Sequence, residues 1–121
     1  MTATHSKLAG RAVLLVEDDY FIVKQLRRLF EQEGAIVLGP VSNVAGALEL
    51  VERTARIDGA VLDVNLQGEM VFPVADALAE RGVRFVFATG YDPVELPARH
   101  GAVPHFSKPV NLAGLAEALF G

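Results

Sequence analysis

Two hydrophobic periodicities alternate along the chain. Apolar runs rich in β-branched residues occupy Ala12–Val16, Ala35–Leu38, Ala60–Val64, Val83–Ala88 and, more weakly, Val103–Phe106. Between them apolar residues recur at helical spacing. Ile22, Leu26 and Leu29 do so first, then Val44, Leu48 and Val51, then Val71, Ala75 and Leu78, and last Leu112, Leu115 and Leu119. In the first of these segments Lys24, Arg27, Arg28 and Glu31 fall on the other face, as an amphipathic helix requires. Gly34 and Gly82 follow helical segments where a left-handed cap is wanted, and Ser42, Asp92 and Asn111 can each cap a helix start. Pro93 suits the first turn of a helix opened by Asp92. Pro97 then keeps that helix short or distorted, because a ring in mid-helix removes a hydrogen bond and clashes one turn back.

Five strands alternating with helices predict a doubly wound α/β domain, its parallel five-stranded sheet covered on both faces. The strands fit that reading by being nearly continuous in apolar residues. Right-handed crossovers then place any site at the carboxyl ends of the strands, near a topological switch point. Met1–Gly10 reads as a flexible leader and residues 11–121 as a single domain. No internal repeat or low-complexity segment interrupts it.

Composition narrows the function. With 121 residues, 51% of them hydrophobic and 21% charged, the chain can build a real core. Its formal charge of −4 argues against a nucleic-acid scaffold, which needs a basic face. Cysteine is absent, which excludes disulfide frameworks, thiolate metal sites and cysteine nucleophiles. Wholly apolar stretches such as Ala12–Val16 fall far short of the about 18 residues of a membrane span, and Met1–Arg11 lacks the core of a secretory signal. The expectation is a small, soluble, cytoplasmic domain without membrane contact.

The polar residues at the strand ends carry the chemistry. The first strand runs into Glu17, Asp18 and Asp19. The third ends in Asp63, followed by Val64 and Asn65. The fourth ends at Thr89 and Gly90, and the fifth leads to Ser107, Lys108 and Pro109. Carboxylates within about 4 Å repel by several kcal/mol at an effective dielectric near 20. A small divalent cation such as Mg²⁺, which takes one or two carboxylates together with phosphate oxygens, offsets that. Asp19 reads best as a helix cap. Asp63 interrupts an apolar central strand, where an unpaired charge is costly. Thr89 and Lys108 say little singly; together with the acids they form a constellation.

That constellation resembles the receiver domains of two-component response regulators over essentially the whole chain. Val-Glu-Asp-Asp at 16–19, Leu-Asp-Val-Asn at 62–65, Ala-Thr-Gly at 88–90 and Ser-Lys-Pro at 107–109 carry the resemblance, in that order and spacing. It implies a flavodoxin-like (βα)5 fold with strand order 2-1-3-4-5. It implies that Asp63 is phosphorylated by a sensor histidine kinase or a histidine phosphotransfer protein, as one step of a phosphorelay. Asp18 would hold Mg²⁺ directly and Glu17 through water, with Asp63 and the Asn65 backbone carbonyl as further ligands. Thr89 and Gly90 would meet the phosphoryl group and Lys108 would pair with it. The Lys108–Pro109 peptide is cis in this family. Phosphorylation would switch the surface of the fourth helix, fifth strand and fifth helix (about Asp92 to Phe120) for a downstream protein, the chain being a monomer or a weak dimer through that face. As a signalling module it would catalyse only its own phosphorylation and dephosphorylation.

Several positions depart from the usual receiver pattern. Asn65-Leu66-Gln67-Gly68-Glu69 replaces the common loop after the phosphorylated aspartate. Phe87-Ala88-Thr89-Gly90-Tyr91 looks like the signature of stand-alone bacterial receivers with a Phe-Ala-Thr-Gly motif. Asn65 and Tyr91 flank the path of the hydrolytic water, so Tyr91 either crowds that path and prolongs the phosphorylated state or serves as a partner-facing aromatic. His105 stands where receivers place the Tyr or Phe that swings inward with the threonine, either as a titratable switch residue or as a smaller aromatic stand-in. Two other functions compete. A small haloacid-dehalogenase-like phosphatase needs a second Asp where Asn65 stands. A pseudo-receiver acting by protein binding alone would not need the intact Glu17, Asp18, Asp63 and Lys108.

Overall fold

The computed structural model describes residues 6–90 and 95–121. Five strands form one parallel sheet: β1 (Ala12–Val16), β2 (Ile36–Val41), β3 (Gly59–Asp63), β6 (Arg84–Thr89) and β7 (His105–Ser107). Between β3 and β6 lies a short antiparallel hairpin, β4 (Asn65–Leu66) and β5 (Glu69–Met70). The order in the main sheet is β2-β1-β3-β6-β7. Counted over those five strands alone, that is the expected 2-1-3-4-5. The chain turns from β1 outward to β2 and then back across to β3, so the switch point lies between the carboxyl ends of β1 and β3.

Four α-helices are present among the described residues: α1 (Tyr20–Gln32), α2 (Val44–Arg53), α3 (Phe72–Glu80) and α4 (Leu112–Phe120). Alternate strand residues feed two cores, because successive side chains point to opposite faces. Leu14, Val16, Leu62 and Phe87 pack under α2 and α3 through Val51, Val74 and Leu78. Val13, Leu15, Val61 and Val86 pack under α1 and α4 through Leu26, Phe30, Leu115 and Leu119. Covering on both faces is why the strands are apolar at every position rather than at every second one.

The departures from expectation have local causes. The second strand runs on past Leu38 to Val41 through a cis Gly39–Pro40 peptide, and its register against β1 slips between Leu14 and Val16. An edge strand tolerates a proline and a bulge. Gly39 has φ +92°, and a Cβ there would meet Val41 N at 2.9 Å and Leu15 O at 3.1 Å, so glycine is required. Asn43, not Ser42, caps α2, accepting from Gly46 N at 2.7 Å. The caps expected at Asn111 and Asp19 are present. Gly34 and Gly82 take the left-handed conformation. The last strand starts at His105 rather than Val103.

The helix expected from Asp92 differs most. Asp92 and Pro93 lie outside the described residues, and from 95 to 104 the chain forms a single 3₁₀ turn, Ala98–His100, entered from Pro97. Of the expected mobile leader, Ser6–Gly10 are described, and they join the core. Leu8 is 1% exposed, and Gly10 N–H donates to Gly34 O at 2.9 Å. No helix among the described residues is long and apolar enough to cross a membrane.

Candidate functional site

The carboxyl ends of β1, β3 and β6 and the loop after β7 converge on one rim of the sheet. Glu17 follows β1 and is 3% exposed. Asp63 ends β3 and is 5% exposed. Such burial of acids demands partners, and both have them. Glu17 Oε2 accepts the backbone N–H groups of Asp18 and Asp19, each at 3.1 Å, where the chain turns into α1. Its other oxygen, Oε1, lies 2.6 Å from Lys108 Nζ, which also reaches Asp63 Oδ2 at 3.2 Å. Asp63 Oδ1 accepts the Asn65 N–H at 3.4 Å. Asp18 is half-buried beside them. Asp19 stands apart as the N-cap of α1, accepting from Phe21 and Ile22.

Lys108 is positioned through its own backbone: its N–H donates to Thr89 O at 2.9 Å, and the Lys108–Pro109 peptide is cis as expected. Thr89 is 5% exposed, and its hydroxyl donates to Phe106 O at 3.4 Å. Gly90 is exposed at the edge of a cleft of about 500 Å³, which Phe21, Ile22, Lys108 and Pro109 also line.

Ligand oxygens of Glu17, Asp18 and Asp63 all lie within 4.8 Å of one another. Three carboxylates therefore face one ammonium. Burial pushes the Glu17 carboxyl up to about 7, helped by Asp63 and opposed by Lys108. Burial likewise raises Asp63 above the usual carboxylate range, against the pull of Glu17 and Lys108. Burial alone would lower Lys108, but the two carboxylates outweigh it and hold the ammonium above its ordinary value. An excess of hard oxygen donors in a small, partly dehydrated space is the donor set a divalent cation takes. The geometry fits one.

Of the remaining expected residues, Asn65 is exposed, with its side chain spent on the hairpin: Asn65 Oδ1 accepts the Gly68 N–H at 2.6 Å. His105 is exposed on β7, in register with Phe87, and stands outside the cluster. Tyr91 lies outside the described residues. The sequence pattern gave no sign of His100. That histidine is 4% exposed, with Nε2 2.8 Å from Asp76 Oδ1 and its ring among Phe72, Phe85 and Phe87. It sits in an Ala-Arg-His-Gly segment with no apolar periodicity of its own, so nothing local marks it as buried.

A family model described as the response regulator receiver domain matches residues 13–120. The photosynthetic apparatus regulatory protein RegA of Cereibacter sphaeroides is 32% identical over 117 residues. The match takes in 92% of this chain and 62% of RegA, so the chain spans less than two thirds of that relative. Among solved structures, SdrG from Sphingomonas melonis Fr1 superposes with a TM-score of 0.79 at 43% identity, over 94% of this chain and 95% of that one. The BeF3-activated conformation of SdrG, from Pseudomonas melonis Fr1, gives 0.73 at 42% identity, over 92% and 94%. A response regulator receiver protein from Sinorhizobium medicae gives 0.77 at 26% identity, over 91% of both chains.

Proposed function

This chain belongs to the response regulator receiver family, and on that premise we propose that Asp63 is its phosphoacceptor, taking a phosphoryl group from a phosphohistidine. One observation supports this most directly: Asp63 is a buried strand-end carboxylate that shares Lys108 with Glu17 and lies within 4.8 Å of two further acids. An Asp63 oxygen attacks phosphorus and forms an O–P bond. The P–N bond breaks, and its electron pair stays on the imidazole nitrogen, which takes up a proton. The product is an acyl phosphate.

Such a transfer is governed by positioning and by charge. Lys108 neutralises one developing charge, and the Thr89 hydroxyl is free to exchange its long bond to Phe106 O for a phosphoryl oxygen. Glu17, Asp18, Asp63 and the Asn65 carbonyl are the groups that would hold Mg²⁺, with Asp18 and Asp63 as direct ligands and Glu17 through water. When bound, the ion supplies positive charge against the phosphoryl oxygens. Gly90, lacking a side chain, leaves the approach open. Phe21, 80% exposed, lies with Ile22 and Pro109 along the cleft that a kinase or phosphotransfer protein would enter. Output would come from a downstream protein docking where β7, α4 and the segment before β7 are exposed. The Phe87–Tyr91 run supports the stand-alone subfamily; Tyr91 and Asn65, flanking the path of water to the phosphoryl group, would set how fast it is removed, unless Tyr91 serves instead as a partner-facing aromatic.

The test uses acetyl phosphate with Mg²⁺ and intact-mass spectrometry. The expected result is a gain of one phosphoryl group in the parent protein and none in Asp63→Asn. Steady turnover of phosphate esters without an adduct would point to a phosphatase, and no reaction at all to a pseudo-receiver.

A further inference from the structure

Away from the acidic cluster, one polar network is tied into the core. Asp76, on the outer face of α3, takes a forked ion pair from Arg99, with Nε 2.8 Å from Oδ1 and Nη2 3.0 Å from Oδ2. Oδ1 also lies 2.8 Å from Nε2 of the buried His100. Arg99 brings the Asp76 carboxyl below the usual carboxylate range. Arg99 and His100 belong to the 3₁₀ turn that stands where a helix was expected. That turn holds itself with few bonds: His100 N–H to Pro97 O, Gly101 N–H to Ala98 O and Val103 N–H to His100 O. A segment this short cannot fix its own position. Asp76 does so from outside, together with the Phe87 N–H, which donates to Pro104 O at 3.0 Å.

The His100 ring is also wedged between the two elements that leave the site. It stacks on Phe72, the first residue of α3, with centroids 6.2 Å apart and planes 22° apart. It meets Phe87 edge-on at 5.8 Å. Phe87 lies two residues before Thr89 on the same face of β6, and Phe72 follows the hairpin that begins after Asp63. Packed rings therefore connect both ends of the site to the turn.

We propose that Asp76 is a positioning residue: by clasping Arg99 and His100 it holds the Ala98–His100 turn on the flank of α3 and stabilises the unphosphorylated arrangement of the domain. A contact made in one arrangement opposes, by its own free energy, any change that breaks it. Removing the clasp thus shifts the chain toward the arrangement that accepts a phosphoryl group. The inference rests on the reading of Asp63 as phosphoacceptor.

The test combines amide hydrogen exchange with acetyl phosphate labelling in Mg²⁺, on the full chain. In Asp76→Asn the amides of His100, Gly101 and Val103 should exchange about fivefold faster or more, the low end of coupling between sites, while those of β1 and β3 stay protected. Phosphoryl labelling should speed up by a similar factor. Arg99→Gln, which leaves the buried ring in place, should move both readouts the same way, and Asp76→Glu, which keeps the carboxylate, should restore both toward the parent. A purely structural contact would leave labelling unchanged or slow it, and that outcome overturns the inference, as do unaltered exchange rates in both variants. A parent protein that takes no phosphoryl group fails the Asp63 reading instead.

Discussion

Lys108 sits closer to Glu17 than to Asp63, with its Nζ 2.6 Å from Glu17 Oε1 and 3.2 Å from Asp63 Oδ2. The glutamate is thus the lysine's principal anchor, and Asp63, the proposed phosphoacceptor, borrows a cation already held beside it.

Replacing Lys108 with Met leaves two buried carboxylates without their shared ammonium. Removing one partner of a buried pair costs about 3–5 kcal/mol. Lys108 keeps 13% of its side-chain exposure, so the lower end of that range is expected. Thermal melts in chelator at pH 8 should show the loss, and it should shrink at pH 5, where the carboxylates accept protons. A mutant as stable as the parent at pH 8 would show that water, not Lys108, compensates the acids.

Asp18 is half-buried and makes no ion pair among the described residues, so its carboxylate is free for a cation. At ten times its dissociation constant, Mg²⁺ should stabilise the parent by about 1.4 kcal/mol, and chelator should reverse the gain. Asp18→Asn should weaken that binding at least about tenfold, since a hard cation depends on carboxylate charge. Calorimetric titration of both proteins with Mg²⁺ measures the difference. Equal affinities would remove Asp18 from the ligand set.

Much of this was written into the chain. Val13 and Leu15 feed one core and Leu14 and Val16 the other, and that double demand is what makes a buried parallel strand readable as an unbroken apolar run. The same reading located Glu17, Asp18, Asp63, Thr89 and Lys108, because strand ends are where a doubly wound sheet gathers its polar groups. Elements defined by backbone geometry were not legible. The Gly39 bulge and the six-residue β4–β5 hairpin are too short to carry a periodicity of their own. His100 shows the other limit. Its burial is decided by Phe72, Phe85 and Phe87, which are far from it in sequence, and its polarity is satisfied by Asp76 on another helix.

The hairpin turn holds Gln67 at φ +54° and Gly68 at φ +93°, the two left-handed residues of a type I′ turn. Glutamine in that conformation is strained by about 1 kcal/mol, whereas asparagine tolerates it better. Gln67→Asn should therefore raise stability by about 0.5–1 kcal/mol in urea unfolding. Gly68→Ala should lower it by a similar amount or more. Neither residue touches the acids, so phosphoryl labelling of Asp63 should stay near the parent rate. Opposite signs would mean that the turn relaxes to another type in solution.

Burial sets the pH behaviour of the cation-free domain. Glu17 titrates at about 7 in the folded chain, against an ordinary value of 4.5. Between those two values the folded state binds a proton that the unfolded state has released. Stability then falls as pH rises, by on the order of 2–3 kcal/mol across the window. Asp63, also raised, adds a slope of the same sign above its unfolded value. Asp58 and Asp76 are lowered, so what they contribute is lost only as pH falls below the ordinary aspartate range, outside this window. Urea unfolding at pH 5, 6 and 7 in chelator should show the decline, and Glu17→Gln, which cannot ionise, should flatten it. Saturating Mg²⁺ should flatten it as well, because the ion binds the ionised carboxylates and so removes the cost of their ionisation. A stability that climbs with pH across this range would show that Glu17 keeps its charge when buried and that Lys108 alone suffices to hold it, whereas a decline undiminished in Glu17→Gln would assign it to Asp63 instead.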